Sequence, residues 1–435
     1  MCLSRILFLF LLIPFLTGCV GTSADGTGGG GRTVEAKDLL LWENTVKVYL
    51  GDNLWRDRDL YDAGHVLMIP LHAAFRLGQA EWHQEFSDHF RRFMENDNNS
   101  FLTEPQDLDL AREHYLYLAS RFLVLATESG RADLVPPALI EKLYGEVDSL
   151  WSMKTAWWYE RDFAGGIRER LQWKLSQTAT TPSYYRAITD HEIFLFAISA
   201  DLRIYERISG KYSGLSPVVG EILNVAYAVF NKYVVPFDDG TWLFQPGLWT
   251  DHPDYLYAGN PELAANLKPA PVPGIAEDTS HSHRWPVWLK SLAGAYREGD
   301  PERGYYENLS AGLEKQFYGK VLLQPSSGFP AYRVANFMDG NNGVYRYQYQ
   351  TVGGNLGYGP WELSGILIEG WWGFLGNPRM QAVYVDIAGR FPLPPEVVTL
   401  YTGPNTTRPR HPLVTWPDFF GNGFGELNAR LAGKF

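Results

Sequence analysis

From Val34 onward, apolar residues recur at helical spacing in one segment after another, and this repetition restricts the chain to an all-α fold class. Leu39, Leu40, Val46 and Leu50 mark one stripe, and Val66, Leu67, Ile69, Leu71, Ala74 and Phe75 mark the next. Trp82 to Met94 follows, then Leu108 to Thr127, which is apolar nearly all round and reads as a buried helix. Leu139–Trp151, Glu192–Ile208, Val218–Tyr233, Trp285–Arg297, Tyr305–Phe317, Glu362–Leu375 and Met380–Phe391 bring the set to about eleven or twelve. Strand-like alternation is sparse. The one candidate is Val344 to Val352, VYRYQYQTV.

Helices in succession with short links pack as antiparallel hairpins. A solenoid would carry a fixed-period motif, and none is present. Unequal spacing and two long excursions, Pro236–Ile275 and Pro325–Pro360, favour an (α/α) toroid with aromatic-rich loops. Loops of that length in a compact domain are usually lids or binding loops. Nothing marks a domain boundary, so residues 34–435 are expected to form one domain. The Pro/Gly-rich end, Pro392–Phe435, is expected to wrap the surface.

The opening segment has a different character. MCLSRILFLFLLIPFLTGCV has a positive start at Arg5 and an apolar run interrupted by Pro14. The run is too short to span a bilayer comfortably and reads as a secretory signal, residues 1–18. Its end, Leu16-Thr17-Gly18-Cys19, resembles the lipobox of bacterial lipoproteins. That resemblance implies lipidation at Cys19, cleavage before it, and a membrane partner reached through the acyl chains. Residues 19–33 are rich in Gly, Ser and Thr, a composition that is expected to give a flexible tether. Val20 after the cysteine, rather than Asp, implies an outer-membrane location in the cell envelope. The chain has two cysteines, and cleavage removes Cys2, so neither a disulfide framework nor a cysteine-built zinc site is available. A net charge of -11 with no basic run excludes a general nucleic-acid binder.

Histidines and acids gather at expected helix starts: Asp62-Ala63-Gly64-His65, Glu113-His114, Thr189-Asp190-His191-Glu192, Glu277 to Arg284 (EDTSHSHR) and Pro360-Trp361-Glu362. In a toroid the inner helices run parallel, so their N-termini meet at one mouth. A helix N-terminus offers free N–H groups and a positive dipole end, which suit anions such as uronate carboxylates. Capping explains part of the pattern: Thr189 with Glu192 fits a capping box, and Asp62 and Asp278 fit N-caps. It does not explain the histidines. His191 and His281 are the foremost candidates. His65 and His114 rank lower, and His72, His83, His89, His252 and His411 read as ordinary core or surface residues. His281 and His283 with Asp278, Asp190 or His191 could ligate a metal, but HxH alone is weak and no HExxH accompanies it. No metal and no cofactor is expected. No GxSxG, Walker loop or helix-opening GxGxxG is present.

The long loops carry aromatic residues. Tyr345, Tyr347 and Tyr349 share one face if their segment is a strand, with Arg346 on the other. Trp242, Trp249, Tyr255 and Tyr257 lie among Asp238, Asp239, Asp251 and Asp254. Rings in exposed loops can stack on the apolar faces of sugars. Trp371-Trp372 reads as core.

A secreted, aromatic-rich, helical chain with His at helix starts and a Tyr-rich loop resembles the α/α-toroid polysaccharide lyases, in the broad sense of the alginate lyase and heparinase-like families. EDTSHSHR looks like the helix starts of such proteins. Asn341-Asn342 is followed by Gly343 where the alginate lyase motif has His. The resemblance implies β-elimination on a uronate polysaccharide. His281, Tyr345 or Tyr347 would act as base or acid, with His191 and Arg284 near the carboxylate. Trp242, Trp249, Tyr255, Asn341, Asn342, Arg346 and Glu362 would contact substrate. Two alternatives stay open. One is a glycoside hydrolase on the same scaffold, using two of Asp190, Glu192, Glu277, Asp278 and Glu362. The other is a non-catalytic glycan-binding or envelope lipoprotein.

Overall fold

The computed structural model describes residues 33–56, 58–96, 109–348, 357–404 and 410–435. The signal segment 1–18, Cys19, most of the tether, and Tyr349 lie outside the described residues. The fold is all-α with little strand. In chain order the helices are α1 (Ala36–Asn44), α2 (Val46–Leu50), α3 (Asp59–Val66), α4 (Met68–Arg76), α5 (Ala80–Asn96), α6 (Asp109–Glu128), α7 (Pro137–Asp148), α8 (Gly166–Ser176) and α9 (Asp190–Ser209). They continue as α10 (Ser216–Tyr233), α11 (Thr279–Ser282), α12 (Trp285–Gly294), α13 (Pro301–Gln316), α14 (Ile366–Glu369), α15 (Pro378–Gly389), α16 (Pro395–Thr402) and α17 (Phe424–Ala432). Among the described residues, three two-stranded antiparallel ribbons pair Ala156–Trp158 with Arg161–Phe163, Val234–Pro236 with Trp242–Phe244, and Leu322–Leu323 with Arg333–Val334. Among the described residues no helix is long and apolar enough to cross a membrane.

The nearly all-apolar α6 is buried along most of its length, as a helix without a polar face must be. It packs between α3 and α9, and α9 packs in turn on α12. α12 meets the 3₁₀ turn Trp371–Leu375, which also touches α17, and α17 packs on α4. α5, α10, α13 and α15 pack respectively on α4, α9, α12 and α17. A buried polar cluster ties the three central helices together. Arg121 of α6 donates to Asp201 of α9 at 2.6 Å, and Ser120 donates to the same carboxylate at 2.7 Å. Ser291 of α12 accepts from Arg121 at 3.2 Å. A charge pair this deep persists only when its remaining donors and acceptors are matched, so the cluster favours one alignment of α6, α9 and α12. That alignment brings Glu113 on α6 beside the start of α9.

Helix starts follow the local chemistry in two places. Thr189 and Glu192 form the expected capping box at α9, which stops at Gly210 with φ of 68°. Asp278 caps α11 by accepting from His281 N. Asp62, in contrast, is the fourth residue of α3 and not its cap.

Three other expectations are corrected. Residues 344–348 do not form a strand: Tyr345 makes one isolated bridge to Tyr358, and Arg346 and Gln348 take left-handed φ values of 52° and 61°. The cause is Asp254, whose backbone carbonyl accepts from Arg346 N at 2.9 Å while its carboxylate accepts from Arg346 Nε at 2.9 Å. Residues 349–352 of that candidate lie outside the described residues. Glu362–Leu375 is not one helix, because Trp361 has φ of 70° and Gly370 has φ of 90°, so only the short α14 and a 3₁₀ turn form. The C-terminal segment does not simply wrap the surface. α17 is a core helix, with Leu427, Leu431 and the terminal Phe435 buried.

Candidate active site

The loop that follows the Val234–Phe244 ribbon returns at Glu277-Asp278, the start of α11. Asp278 is fully buried and surrounded by donors. Tyr255 and Tyr345, from the two long loops, donate their hydroxyls to its Oδ2 at 2.8 and 3.0 Å. Ser280 donates to Oδ1, and His281 Nδ1 lies 2.7 Å from Oδ2. Burial opposes ionisation of this carboxyl. The charge and hydrogen bond of His281, the Arg346 charge and Ser280 outweigh it and hold Asp278 well below the usual carboxylate range. An ionised Asp278 accepts the proton of His281 Nδ1 in a hydrogen bond and so fixes the imidazole tautomer. His281 is partly exposed and turns Nε2 toward the open side, 4.0 Å from Asp190, so with Nδ1 engaged by Asp278 it is Nε2 that can exchange a proton with a ligand.

A second dyad stands nearby. His191, in the first turn of α9, places Nδ1 2.9 Å from Oε2 of the buried Glu113. Burial opposes protonation of His191, but the Glu113 charge and hydrogen bond raise its pKa. Burial raises Glu113 in turn, against the pull of His191.

Both histidines line one cavity of about 250 Å³, and Glu113 lines the one beyond His191. Asp190, Glu277, Asp278, Tyr345 and Arg346 line the first with the histidines, and Trp158, Tyr159, Trp249 and Tyr255 supply aromatic surface. Burial pushes the Glu277 carboxyl up to about 8, although it accepts from Gln245 at 2.6 Å. Glu277 therefore carries a proton at neutral pH, while Asp190 is ion-paired with Arg284. A neighbouring cavity of about 400 Å³ shares His281 and Arg346 with the first. Its other lining groups include Arg58, Arg284, Arg410, Tyr61, Glu362 and Trp416. A third, of about 490 Å³, shares Leu110 and His191 with the first and includes the half-exposed Trp157. The three cavities adjoin, with His191 at one junction and His281 at the other.

Most residues singled out in the sequence therefore come together: His191, His281, Asp190, Glu277, Asp278, Tyr345, Arg346, Trp249 and Tyr255 around the first cavity, Arg284 and Glu362 at the second. Five do not. Trp242 is core, not a loop platform: it pairs with Pro236 in a ribbon, donates Nε1–H to Leu309 O at 2.7 Å and packs edge-on against Trp285. Tyr347 lines none of these cavities; its hydroxyl donates to Ala264 O at 3.1 Å and accepts from Leu267 N, stapling a loop. Asn341 closes a turn by accepting from Gly343 N at 2.8 Å. Asn342 braces the loop by accepting from Asn336 N and Trp361 N at 3.1 and 3.0 Å. Glu192 is sealed between Lys174 at 2.7 Å and Arg170 at 2.9 Å, which hold it ionised below the usual range against burial, so it cannot exchange a proton with a ligand. Tyr345 lines the cavity, but its hydroxyl is committed to Asp278, and burial pushes its pKa well above the ordinary value. That fits orienting Asp278, not removing a proton.

Sequence reasoning passed over Glu113 as a partner for His191, and Trp157, Trp158 and Tyr159 as cavity lining. The aromatic run Ala156-Trp157-Trp158-Tyr159 was the available signal for the latter. Comparison of the chain with protein-family models, with curated proteins and with solved structures gives no match.

Proposed function

We propose that this protein is a glycan-active enzyme, a polysaccharide lyase that cleaves a uronate-containing chain by β-elimination. One observation carries the reading: a buried Asp278 presents His281 as a base at the junction of two adjoining, aromatic-lined cavities. His281 Nε2 would take the C5 proton of the uronate. The electron pair then forms the C4=C5 double bond, the C4–O bond breaks, and the leaving oxygen takes a proton from an acid. Glu277, protonated at neutral pH, or a protonated His191 fits that second role. Arg346 and Arg284 stand where they can neutralise the uronate carboxylate and so acidify the C5–H bond. Each is already beside a carboxylate, Asp254 and Asp190 respectively, so the substrate must share them. This local supply of cations suits an anionic ligand on a chain whose net charge is negative.

The packing order, from α3 through α6, α9 and α12 to the Trp371–Leu375 turn and back through α17 to α4, supports a closed α/α toroid as the scaffold. The proposal keeps the sequence reading of a lipoprotein anchored at Cys19 in the outer membrane, with a polysaccharide as partner and no nucleic acid. Metabolic palmitate labelling of the wild-type chain and its absence in Cys19→Ala would test the anchor.

A second reading has its own support. Glu277 is held protonated and Asp190 is paired with Arg284, so two carboxyl groups of opposite state share a cavity, as a glycoside hydrolase requires. The experiment separates the two. Purified protein is incubated with a panel of neutral and uronate polysaccharides while unsaturated-uronate absorbance and reducing ends are followed. New absorbance that disappears in His281→Ala supports the lyase. Reducing ends without absorbance select the hydrolase. Binding without turnover selects the non-catalytic lipoprotein.

A further inference from the structure

We propose that His65, His283 and Glu369 form a binding site for a divalent transition cation of the zinc class. The three residues come from α3, from the residue after α11 and from the end of α14, so no sequence spacing unites them. Their donor atoms all lie within 4.8 Å of one another. His283 Nε2 stands 3.2 Å from Glu369 Oε2. Two ligands bound at 2.0–2.1 Å to one tetrahedral centre are about 3.3–3.4 Å apart, so this pair already has the separation that shared coordination needs.

The cluster has polar groups that its surroundings leave unmatched. His283 is buried, and its Nδ1 has no hydrogen-bond partner among the described residues. Its Nε2 and Glu369 Oε2 face each other without the alignment of a hydrogen bond. Such groups are costly in a protein interior, and a cation between them removes that cost.

His65 is oriented for the role. Its Nδ1 donates to Tyr61 O at 3.1 Å, which turns the Nε2 lone pair inward. Ligating histidines are commonly held by such a bond from the other ring nitrogen. Arg284 Nη2 and Nε meet that lone pair at 2.8 and 3.1 Å. A cation would take the place of this contact. The guanidinium would keep Asp190 and the Tyr61 hydroxyl, the latter at 3.2 Å, and would not be stranded. The donor set of two nitrogens and one oxygen favours zinc, cobalt or nickel over calcium or magnesium. All three residues line the 400 Å³ cavity, which supplies an entry path and room for an exchangeable fourth ligand.

The test is metal binding by the purified chain, independent of any glycan activity. The protein is stripped with a chelator and titrated with Zn²⁺ by calorimetry, and separately with Co²⁺ by visible absorption. About one equivalent per chain is expected, with Co²⁺ bands intense enough to report low-symmetry coordination. Glu369→Gln and His283→Gln should each weaken binding by about tenfold or more. His411→Gln, at a surface pair with Asp52, should leave it unchanged. At one Zn²⁺ concentration the rise in Tm should be larger for wild type than for Glu369→Gln. Binding well below one equivalent, or equal binding by wild type and both ligand variants, would overturn the site. If neither variant folds, the wild-type Co²⁺ spectrum decides: no visible band at saturating Co²⁺ also overturns it.

Discussion

Asp278→Asn is the most informative single change. The carboxylate receives hydrogen bonds from Tyr255, Tyr345, Ser280, His281 N and His281 Nδ1. An amide keeps the shape but not the polarity. The amide NH2 has two hydrogens: one tyrosine hydroxyl can rotate to accept the first, and His281 accepts the second at Nδ1 by moving its proton to Nε2, so the other tyrosine loses its partner. The lone pair then points at the introduced amide instead of the cavity, and the base is lost. Each charge-assisted bond that becomes neutral costs about 1 kcal/mol, partly offset because an amide is cheaper to bury than a carboxylate, so the net loss of stability is about 2–4 kcal/mol. Turnover should fall by about 10²–10⁴, the usual contribution of a positioned base. The stability loss also has a defined pH dependence. Asp278 has a depressed folded pKa, so its contribution is fully present above the unfolded value of about 3.9 and fades as pH falls through the folded one. The gap in Tm between the two proteins should therefore close only in strong acid. The assay combines unsaturated-uronate absorbance, thermal melts from acid to neutral pH, and ¹⁵N NMR of the imidazole tautomer. A variant that holds the Nε2–H tautomer yet keeps more than about a tenth of wild-type turnover would refute His281 as the base.

Glu277→Gln reads out the opposite kind of acid. Its folded pKa is raised to about 8, so wild-type stability from this group is fully present below the unfolded pKa of about 4.3 and is lost as pH rises through about 8. The variant should gain Tm relative to wild type between those limits, and an unchanged difference across melts at mildly acidic and mildly basic pH would argue against a protonated Glu277. Trp242→Ala should cost about 3–5 kcal/mol in denaturant unfolding, as expected for a core Trp. Trp249→Ala removes a ring stacked on Tyr255, so it should lower Tm, though by less than Trp242→Ala, and weaken glycan binding by about three- to tenfold, the scale of one aromatic contact. Gly343→Ala drives a Cβ into the carbonyl oxygen of Ala258 and should therefore part the two long loops, lowering Tm and turnover together by melting and activity assays.

Much of this site is readable from the chain because its residues sit at helix starts. The capping chemistry of Thr189 and Asp278 is local, and it places Asp190, His191, Glu277 and His281 where helices begin. What failed depends on distant partners. Tyr345 to Tyr349 alternates like a strand, but alternation needs a neighbouring strand, and Asp254 bends Arg346 out of the extended region instead. Trp242 reads as a loop platform because nothing in sequence reveals that its neighbours return as a ribbon under α13. Glu362 reads as a helix start, yet Trp361 takes a φ of 70°, residues 362–365 stay in turns, and the helix begins only at Ile366. The C-terminal α17 is hidden by the Pro and Gly around it. His65, His283 and Glu369 meet only because the helices pack in one particular order.

The two tyrosines on Asp278 have a wider consequence. Tyr255 arrives from one long loop and Tyr345 from the other, and both end on the carboxylate that orients His281. The Asp278–His281 pair, the base of the proposed reaction, is thus assembled by three separate stretches of chain and is complete only when both loops are seated. A glycan that presses the loops down would strengthen the base, and one that pries either loop away would silence it. If the proposed glycan chemistry holds, grip on the sugar and readiness for chemistry become one event, a form of proofreading built into a single acid.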